Sequence, residues 1–300
     1  MSVDATEQQL AKPRIAKSTL ASYIELTKPG IVCLSLTGAL TGMYFANRGL
    51  LPEWNIIIWS FVTLAMAIAG SCTLNHYYDR DIDKLMARTS RRPLPAGLVP
   101  PVHALALGIV LVVGSISLMP LLVNPAATFL TAGAVFGYVV IYTMLAKRRT
   151  PWANQLGGIA GAMPPVIGYA AITGGLDTKA LILFAIMVIW QQPHALSLAL
   201  KYRKEYARAG VPVIPVAKGI QATKKRITLY SIVLLLVALL PYFYDMAGPI
   251  YLFTSIIISS VFLVFAIRLL RSSREYDATL FLYSILYLVI LFVAMVYDSV

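Results

Sequence analysis

The stretch NHYYDRDIDKLMARTSRRPLP, residues 75–95, decides how this chain is read. It holds three aspartates and five basic side chains directly behind an apolar run at 54–74. If the helix of that run continues past Ser71, then Asn75, Asp79 and Asp83 recur at i, i+4 and i+8. At about 100° per residue each step drifts by only about 40°, so the three share one face and Asp81 points away. Asn75 and Asp83 then lie about 12 Å apart along the axis. One small cation does not take all three as ligands. Two magnesium ions do, each held by one or two of these oxygens and completed by phosphate oxygens and water.

Like charges at i,i+4 repel, so this face calls for a positive partner: a metal, or Arg88, Arg91 or Arg92. The downstream ARTSRRPLP supplies guanidinium forks that suit a phosphate, and Pro93 and Pro95 end any helix there. Acids for a metal followed by arginines for an anion describe a metal–diphosphate site. The plainer alternative is a solvated loop whose acids pair with neighbouring arginines.

Working outward, 59% of the 300 residues are hydrophobic, far above a soluble domain. A bilayer core needs roughly 20 apolar residues of helix. Nine such runs are present, at about 29–47, 54–74, 101–120, 124–145, 152–172, 178–200, 227–244, 250–270 and 279–297. The expected fold is therefore an all-α integral membrane protein. An N-terminal cytoplasmic segment (1–22) precedes one polytopic domain (23–300). All but Arg48 and Lys179 of the 25 lysines and arginines fall on one side of this alternation. The positive-inside rule makes that side cytoplasmic, giving an N-in, C-out topology.

The net charge of +12 is thus a topology signal, with a role as a lipid or phosphate anchor. No soluble basic domain exists to make it a nucleic-acid footprint. Asp4, Glu7, Lys12, Arg14 and Lys17 precede any apolar run, which is not the pattern of a secretory signal, and the acids argue against a transit peptide. A bacterial inner membrane is the expected location. The two cysteines, Cys33 and Cys72, both lie in apolar runs and exclude a disulfide framework or a cysteine zinc site.

The second long charged stretch is WQQPHALSLALKYRKEYARAGVPVIP, residues 190–215. Taken as helix, His194, Lys201 and Glu205 fall at i, i+7 and i+11 on one stripe. Pro193 is expected to kink or open that helix. His194 lies within the apolar run, where an ionisable group defaults to a functional candidate. Its imidazole suits a metal or a heme iron, and the alternative is a histidine bonded to a neighbouring helix. Glu205 either joins the metal site or pairs at the surface with Lys201 or Arg208. His103 reads as interfacial. His76 stands about 100° off Asn75. Tyr77, Tyr78, Tyr138, Tyr142 and Trp190 are candidates to line a pocket and stabilise positive charge, or to form an aromatic belt.

These motifs resemble the UbiA superfamily of intramembrane prenyltransferases, and within it the branch that farnesylates heme. The resemblance runs from about Tyr23 to the ninth apolar run. It rests on YIELTKPGIVCLSLTGALTGM, on N-x-x-x-D-x-x-x-D followed by D-x-x-M-x-RT-x-x-RPL-x-x-G, on KRRTPWANQLGGIAGAMPPVIGYAAITG, and on the Pro193–His194 pair with EYARAGVPVIPV. It implies nine helices around a central cavity open laterally to lipid and capped by two cytoplasmic loops. It also implies magnesium as cofactor and farnesyl diphosphate and heme b as substrates, with a downstream heme-modifying membrane enzyme as a partner.

By the same resemblance Asn75, Asp79 and Asp83 hold magnesium and diphosphate. Arg88, Arg91, Arg92, Lys147, Arg148 and Arg149 contact phosphate, and His194 contacts heme. Where many members carry a second D-x-x-x-D, this chain reads KYRKEY with Glu205 as the only acid, so Glu205 alone stands for that ligand set. PHA also replaces the branch's common PHF, which implies a roomier pocket beside His194. Rival readings are a prenyltransferase with an aromatic acid, quinone precursor or chlorophyllide as acceptor, or a transporter or heme-handling protein without transferase activity. The last predicts charges near mid-membrane on several helices, whereas here they collect at one face.

Overall fold

The computed structural model describes residues 19–300. The segment holding Asp4, Glu7, Lys12, Arg14 and Lys17 lies outside the described residues. A short helix α1 (Thr19–Leu26) leads into α2 (Pro29–Ala46), and α3 runs Trp54–Asp83. Next come α4 (Pro101–Leu122), α5 (Pro125–Ala146), α6 (Ala153–Thr173) and α7 (Thr178–Lys201). Two short helices follow, α8 (Arg203–Arg208) and α9 (Ile214–Ala217). The chain closes with α10 (Ile220–Phe243), α11 (Pro249–Arg271) and α12 (Ala278–Tyr297). Among the described residues nine helices, α2 to α7 and α10 to α12, are long and apolar enough to cross a membrane. The protein is an integral membrane protein, and lipid-facing side chains such as Phe129, Phe253 and Val293 are accordingly exposed.

Within lipid no hydrophobic drive pulls helix to helix, so small residues and hydrogen bonds hold the bundle. A Cβ at Gly42 would lie 1.8 Å from the Pro165 carbonyl oxygen, and one at Gly168 would lie 2.0 Å from the Ala39 carbonyl oxygen. Helices α2 and α6 therefore touch backbone to backbone. Helices α2 and α12 meet at their far ends, where the Tyr44 hydroxyl lies 2.9 Å from Ser299 Oγ. Asn124 caps α5 by accepting from Ala127 N at 2.8 Å, and its amide donates to Ala170 and Ala171 on α6.

Three elements differ from the hydropathy reading. The run at 152–172 is interrupted at Ala162, just before Met163-Pro164-Pro165, because two successive prolines carry no N–H to continue the ladder. Helix α10 begins at Ile220, seven residues before its apolar run. Its buried Lys224 is accommodated by a 2.9 Å bond from Nζ to the Ser272 carbonyl. Helix α7 runs unbroken across Pro193, so of the kink or opening expected there the helix does not open.

The second half of α5, Phe136–Ala146, is wound more widely, as a π-helix. Its hydrogen bonds close over five residues, as from Lys147 N to Tyr142 O at 2.9 Å. That winding suits the spacing of Tyr138, Thr143 and Lys147, five and four residues apart.

The two long charged connections pack on each other. Ile82 and Met86 of the first share a small core with Ala209, Val211 and Val213 of the second. The first folds back on its own helix end, with Thr89 Oγ1 donating to Asp83 O at 2.9 Å.

Candidate active site

Helix α3 continues without a break from the apolar run to Asp83, as residues 75–95 predict. Asn75, Asp79 and Asp83 are all buried, and Asp79 is wholly inaccessible. Asp81, on the opposite side, is gripped by both terminal nitrogens of Arg148 at 2.7 and 2.6 Å.

The buried face is knitted to three other segments. Asn75 Nδ2 donates to Asp79 Oδ2 at 2.6 Å and to Thr143 Oγ1 on α5 at 3.2 Å. Asn75 Oδ1 accepts from Lys28 Nζ at 3.1 Å. Lys147, just past α5, ion-pairs with Asp79 Oδ2. Arg92 closes a turn back to Asp83 Oδ2 at 2.8 Å. Burial opposes the Lys147 charge, but the Tyr142 and Asp79 oxygens facing it outweigh that and hold its pKa above the usual lysine value. Burial dominates at Lys28 and holds its pKa below the usual value.

Asp79 Oδ1 is buried with no hydrogen-bond partner among the described residues. A bare carboxylate oxygen in low dielectric is costly, and an all-oxygen set of this kind suits a hard cation such as magnesium. No three His, Cys, Asp or Glu side chains gather around one centre among the described residues.

Directly on the membrane side of Asn75 opens a cavity of about 160 Å³. Ser71, Cys72, Ile68, Ala67 and Leu64 line it from α3, with Tyr138 from α5 and Met163 and Pro164 from the break in α6. Leu64 lies eleven residues before Asn75, so this wall of α3 extends about 16 Å from the acids. A charged mouth over an apolar shaft fits an amphiphile with an anionic head and a hydrocarbon tail.

The other sequence candidates are placed as follows. Arg88 stacks its guanidinium 4.7 Å from the Tyr202 ring centroid, and its main-chain N donates to Glu205 Oε2 at 3.3 Å. Glu205 thus joins the two charged loops and makes none of the contacts of the Asn75–Asp83 face. Arg91 and Arg149 are exposed. Arg148 is engaged by Asp81, with a further bond to Tyr78 O at 2.6 Å.

His194 is sandwiched between Trp190 (centroids 5.1 Å apart) and Phe281 (5.0 Å). Its Nδ1 lies 2.8 Å from Ser284 Oγ. The single Ser284 proton goes to Phe281 O at 2.6 Å, so Ser284 accepts from Nδ1–H and the His194 Nε2 lone pair is left to act as a ligand.

Sequence reasoning missed Lys28 and Thr143, which stand 47 and 68 residues from Asn75. Spacing carries no trace of such contacts. It also measured His76 only against Asn75. Relative to Asp83, His76 is at i−7, only about 20° off its line.

Residues 35–296 match the model of the UbiA prenyltransferase family. A relative from Aquifex aeolicus named protoheme IX farnesyltransferase is 43% identical over 95% of this chain and 97% of its own length. The fold matches a solved digeranylgeranylglyceryl phosphate synthase at a TM-score of 0.79 and 18% identity, covering 94% of this chain and 99% of that one. It also matches an Archaeoglobus fulgidus UbiA homologue bound to GPP and Mg2+ at a TM-score of 0.64 and 19% identity, covering 92% and 98%. The chain belongs to the UbiA prenyltransferase family.

Proposed function

We propose that the protein transfers the farnesyl group of farnesyl diphosphate to a vinyl group of heme b, with addition of water, giving heme O and diphosphate. The observation that carries the transferase reading is the unpartnered Asp79 Oδ1 on a buried acidic face, with an apolar cavity beginning one helical turn below Asn75 at Ser71 and Cys72. The acceptor is supported by the name and near full-length match of the Aquifex aeolicus relative.

In the reaction the farnesyl C1–O bond breaks and the diphosphate leaves with the electron pair. The terminal vinyl carbon bonds to C1, water adds to the resulting cation beside the porphyrin, and a proton is lost. Magnesium held by Asn75, Asp79 and Asp83, with the second oxygen of Glu205, would supply the charge that stabilises the leaving diphosphate. Lys147 and Arg92 stand on the same carboxylates, and each reaches a phosphate oxygen by a side-chain swing. Arg88 and Arg91 lie on the loop above, and Arg148 would join by leaving Asp81. The apolar shaft takes the farnesyl tail and keeps water from the allylic cation, and Tyr138 and Tyr142 offer ring faces to its positive charge. His194 contacts heme, with Nε2 free for iron and two flat rings beside it.

The charged end faces the cytoplasm of a bacterial inner membrane in this reading, because nearly all lysines and arginines lie there. That places residues 1–22 in the cytoplasm ahead of the polytopic domain. The test is incubation of membranes containing the protein with heme b, farnesyl diphosphate and magnesium. Extracted heme should gain one farnesyl group and one hydroxyl group in mass. Prenylation of an aromatic acid in preference to heme would refute the acceptor assignment.

A further inference from the structure

A second hollow, of about 400 Å³, lies beside the acidic face. Glu25, Lys28, Pro29, Gly30, Ile31, His76 and Arg92 line it. His76 is only 2% exposed, yet neither Nδ1 nor Nε2 has a hydrogen-bond partner among the described residues. A buried imidazole with both nitrogens idle is costly, and this one borders a space with two cations on its walls. Lys28 gives its hydrogen bond to Asn75 Oδ1, a neutral amide oxygen. That contact brings no counter-charge of its own, and two more of the three ammonium protons remain for a ligand. Arg92 uses one nitrogen on Asp83 and keeps the others.

We infer that this hollow is an oxyanion subsite for a carboxylate of the acceptor, which for heme is a propionate. The inference rests on the acceptor proposed above. A carboxylate fits better than the diphosphate on charge. A single carboxylate supplies a negative charge to Lys28, whose hydrogen bond goes to a neutral amide, and its two oxygens match the donors that Lys28 and Arg92 keep. The diphosphate has cations outside this hollow in Lys147, Arg88 and Arg91. The topology also agrees. Helices α2 and α12 meet at their C-terminal ends through Tyr44 and Ser299, so their first turns both lie toward the other end of the bundle. Lys28 immediately precedes α2, and the partners of His194, Phe281 and Ser284, sit in the first two turns of α12. The His194 partners and the Lys28–His76 hollow therefore lie toward the same end of the bundle.

The test compares heme b with its dimethyl ester, in which both propionates are neutral. Affinities are read from the heme absorbance change on titration into the purified protein, and magnesium-dependent farnesyl diphosphate binding is read separately. Wild type should bind heme b roughly tenfold or more tighter than the ester. His76→Leu and Lys28→Met should each erase most of that preference by weakening heme b and leaving the ester unchanged. Farnesyl diphosphate affinity should stay at the wild-type level in His76→Leu. The wild-type comparison needs no variant, so a misfolded variant does not shelter the idea. Equal affinity of wild type for acid and ester would overturn it, and so would variants that keep the preference or lose farnesyl diphosphate affinity instead. Wild type that binds heme b with the acid preference but transfers nothing to it would sink the acceptor assignment and leave the subsite standing. No heme binding at all would overturn both.

Discussion

Asp79→Asn removes a charge while keeping the shape, and its consequences divide cleanly between stability and chemistry. The Asp79 side chain is fully buried and that of Lys147 is 13% exposed. Without the carboxylate the Lys147 ammonium keeps only the face of the Tyr142 ring, 5.7 Å away. Breaking such a pair from one side costs about 3–5 kcal/mol. The lysine has an escape, because neutralising an ordinary lysine at pH 7.4 costs about 4 kcal/mol, which caps the penalty. The expected destabilisation is therefore about 3–4 kcal/mol. Lys147→Met in the same chain removes the stranded charge and should bring stability back to within about 1 kcal/mol of wild type.

Activity should not return in that double variant. The double variant would lack both the anionic oxygen that the metal–diphosphate reading requires and the Lys147 phosphate contact, and loss of such groups lowers turnover by roughly 10²–10³-fold or more. Thermal unfolding in detergent reports the first quantity, and mass analysis of extracted heme reports the second. Recovery of transfer along with stability would mean that Asp79 serves only to hold Lys147. So would Asp79→Asn retaining more than about a tenth of wild-type activity.

Four further outcomes follow from the geometry. Ala67→Phe, in the wall of the apolar shaft, should lower use of farnesyl diphosphate more than use of dimethylallyl diphosphate, read by competition of the two donors. Chelation of divalent cations should abolish transfer and added magnesium should restore it, with the protein folded throughout by circular dichroism. His194→Ala should weaken heme b binding without changing farnesyl diphosphate binding, and Ser284→Ala should do so to a smaller extent by freeing the ring's orientation; equal loss of both ligands would count against the heme contact. Gly42→Ala should cost about 1–3 kcal/mol in a thermal-unfolding series, because its Cβ meets a carbonyl oxygen at 1.8 Å that cannot move aside without parting α2 from α6.

What the sequence reveals here is what lies on one element. The register of Asn75, Asp79 and Asp83 follows from a single helix, so its shared face and the outward turn of Asp81 were both legible. Hydropathy located the nine spans because backbone in lipid must be helical. It misplaced the start of α10 because it scores Lys224 as loop, whereas the buried stem of that lysine and its bond to Ser272 O keep it in the helix. The break at Ala162 was written in Pro164-Pro165, but an apolar count does not weigh the missing N–H groups. Lys28 and Thr143 lay beyond any pattern rule, since they reach the site only through packing of separate helices.

The three aspartates of this helix end are each matched by a basic side chain from outside the helix. Asp79 takes Lys147 from the end of α5, Asp83 takes Arg92 from its own following loop, and Asp81 takes Arg148. Such pairs add little stability beyond what apolar packing would give, because desolvation offsets most of the attraction. Their value lies in position. A carboxylate face built for cations would repel an anionic diphosphate if it stood alone. Pairing each acid with a basic side chain keeps the mouth near neutrality and holds phosphate-binding groups within one side-chain movement of the place they are used. Assembly of the bundle and assembly of the site are then the same event. Single substitutions at Lys147 or Arg92 are therefore bound to disturb both, which is why the double variant, and not either single one, separates folding from catalysis.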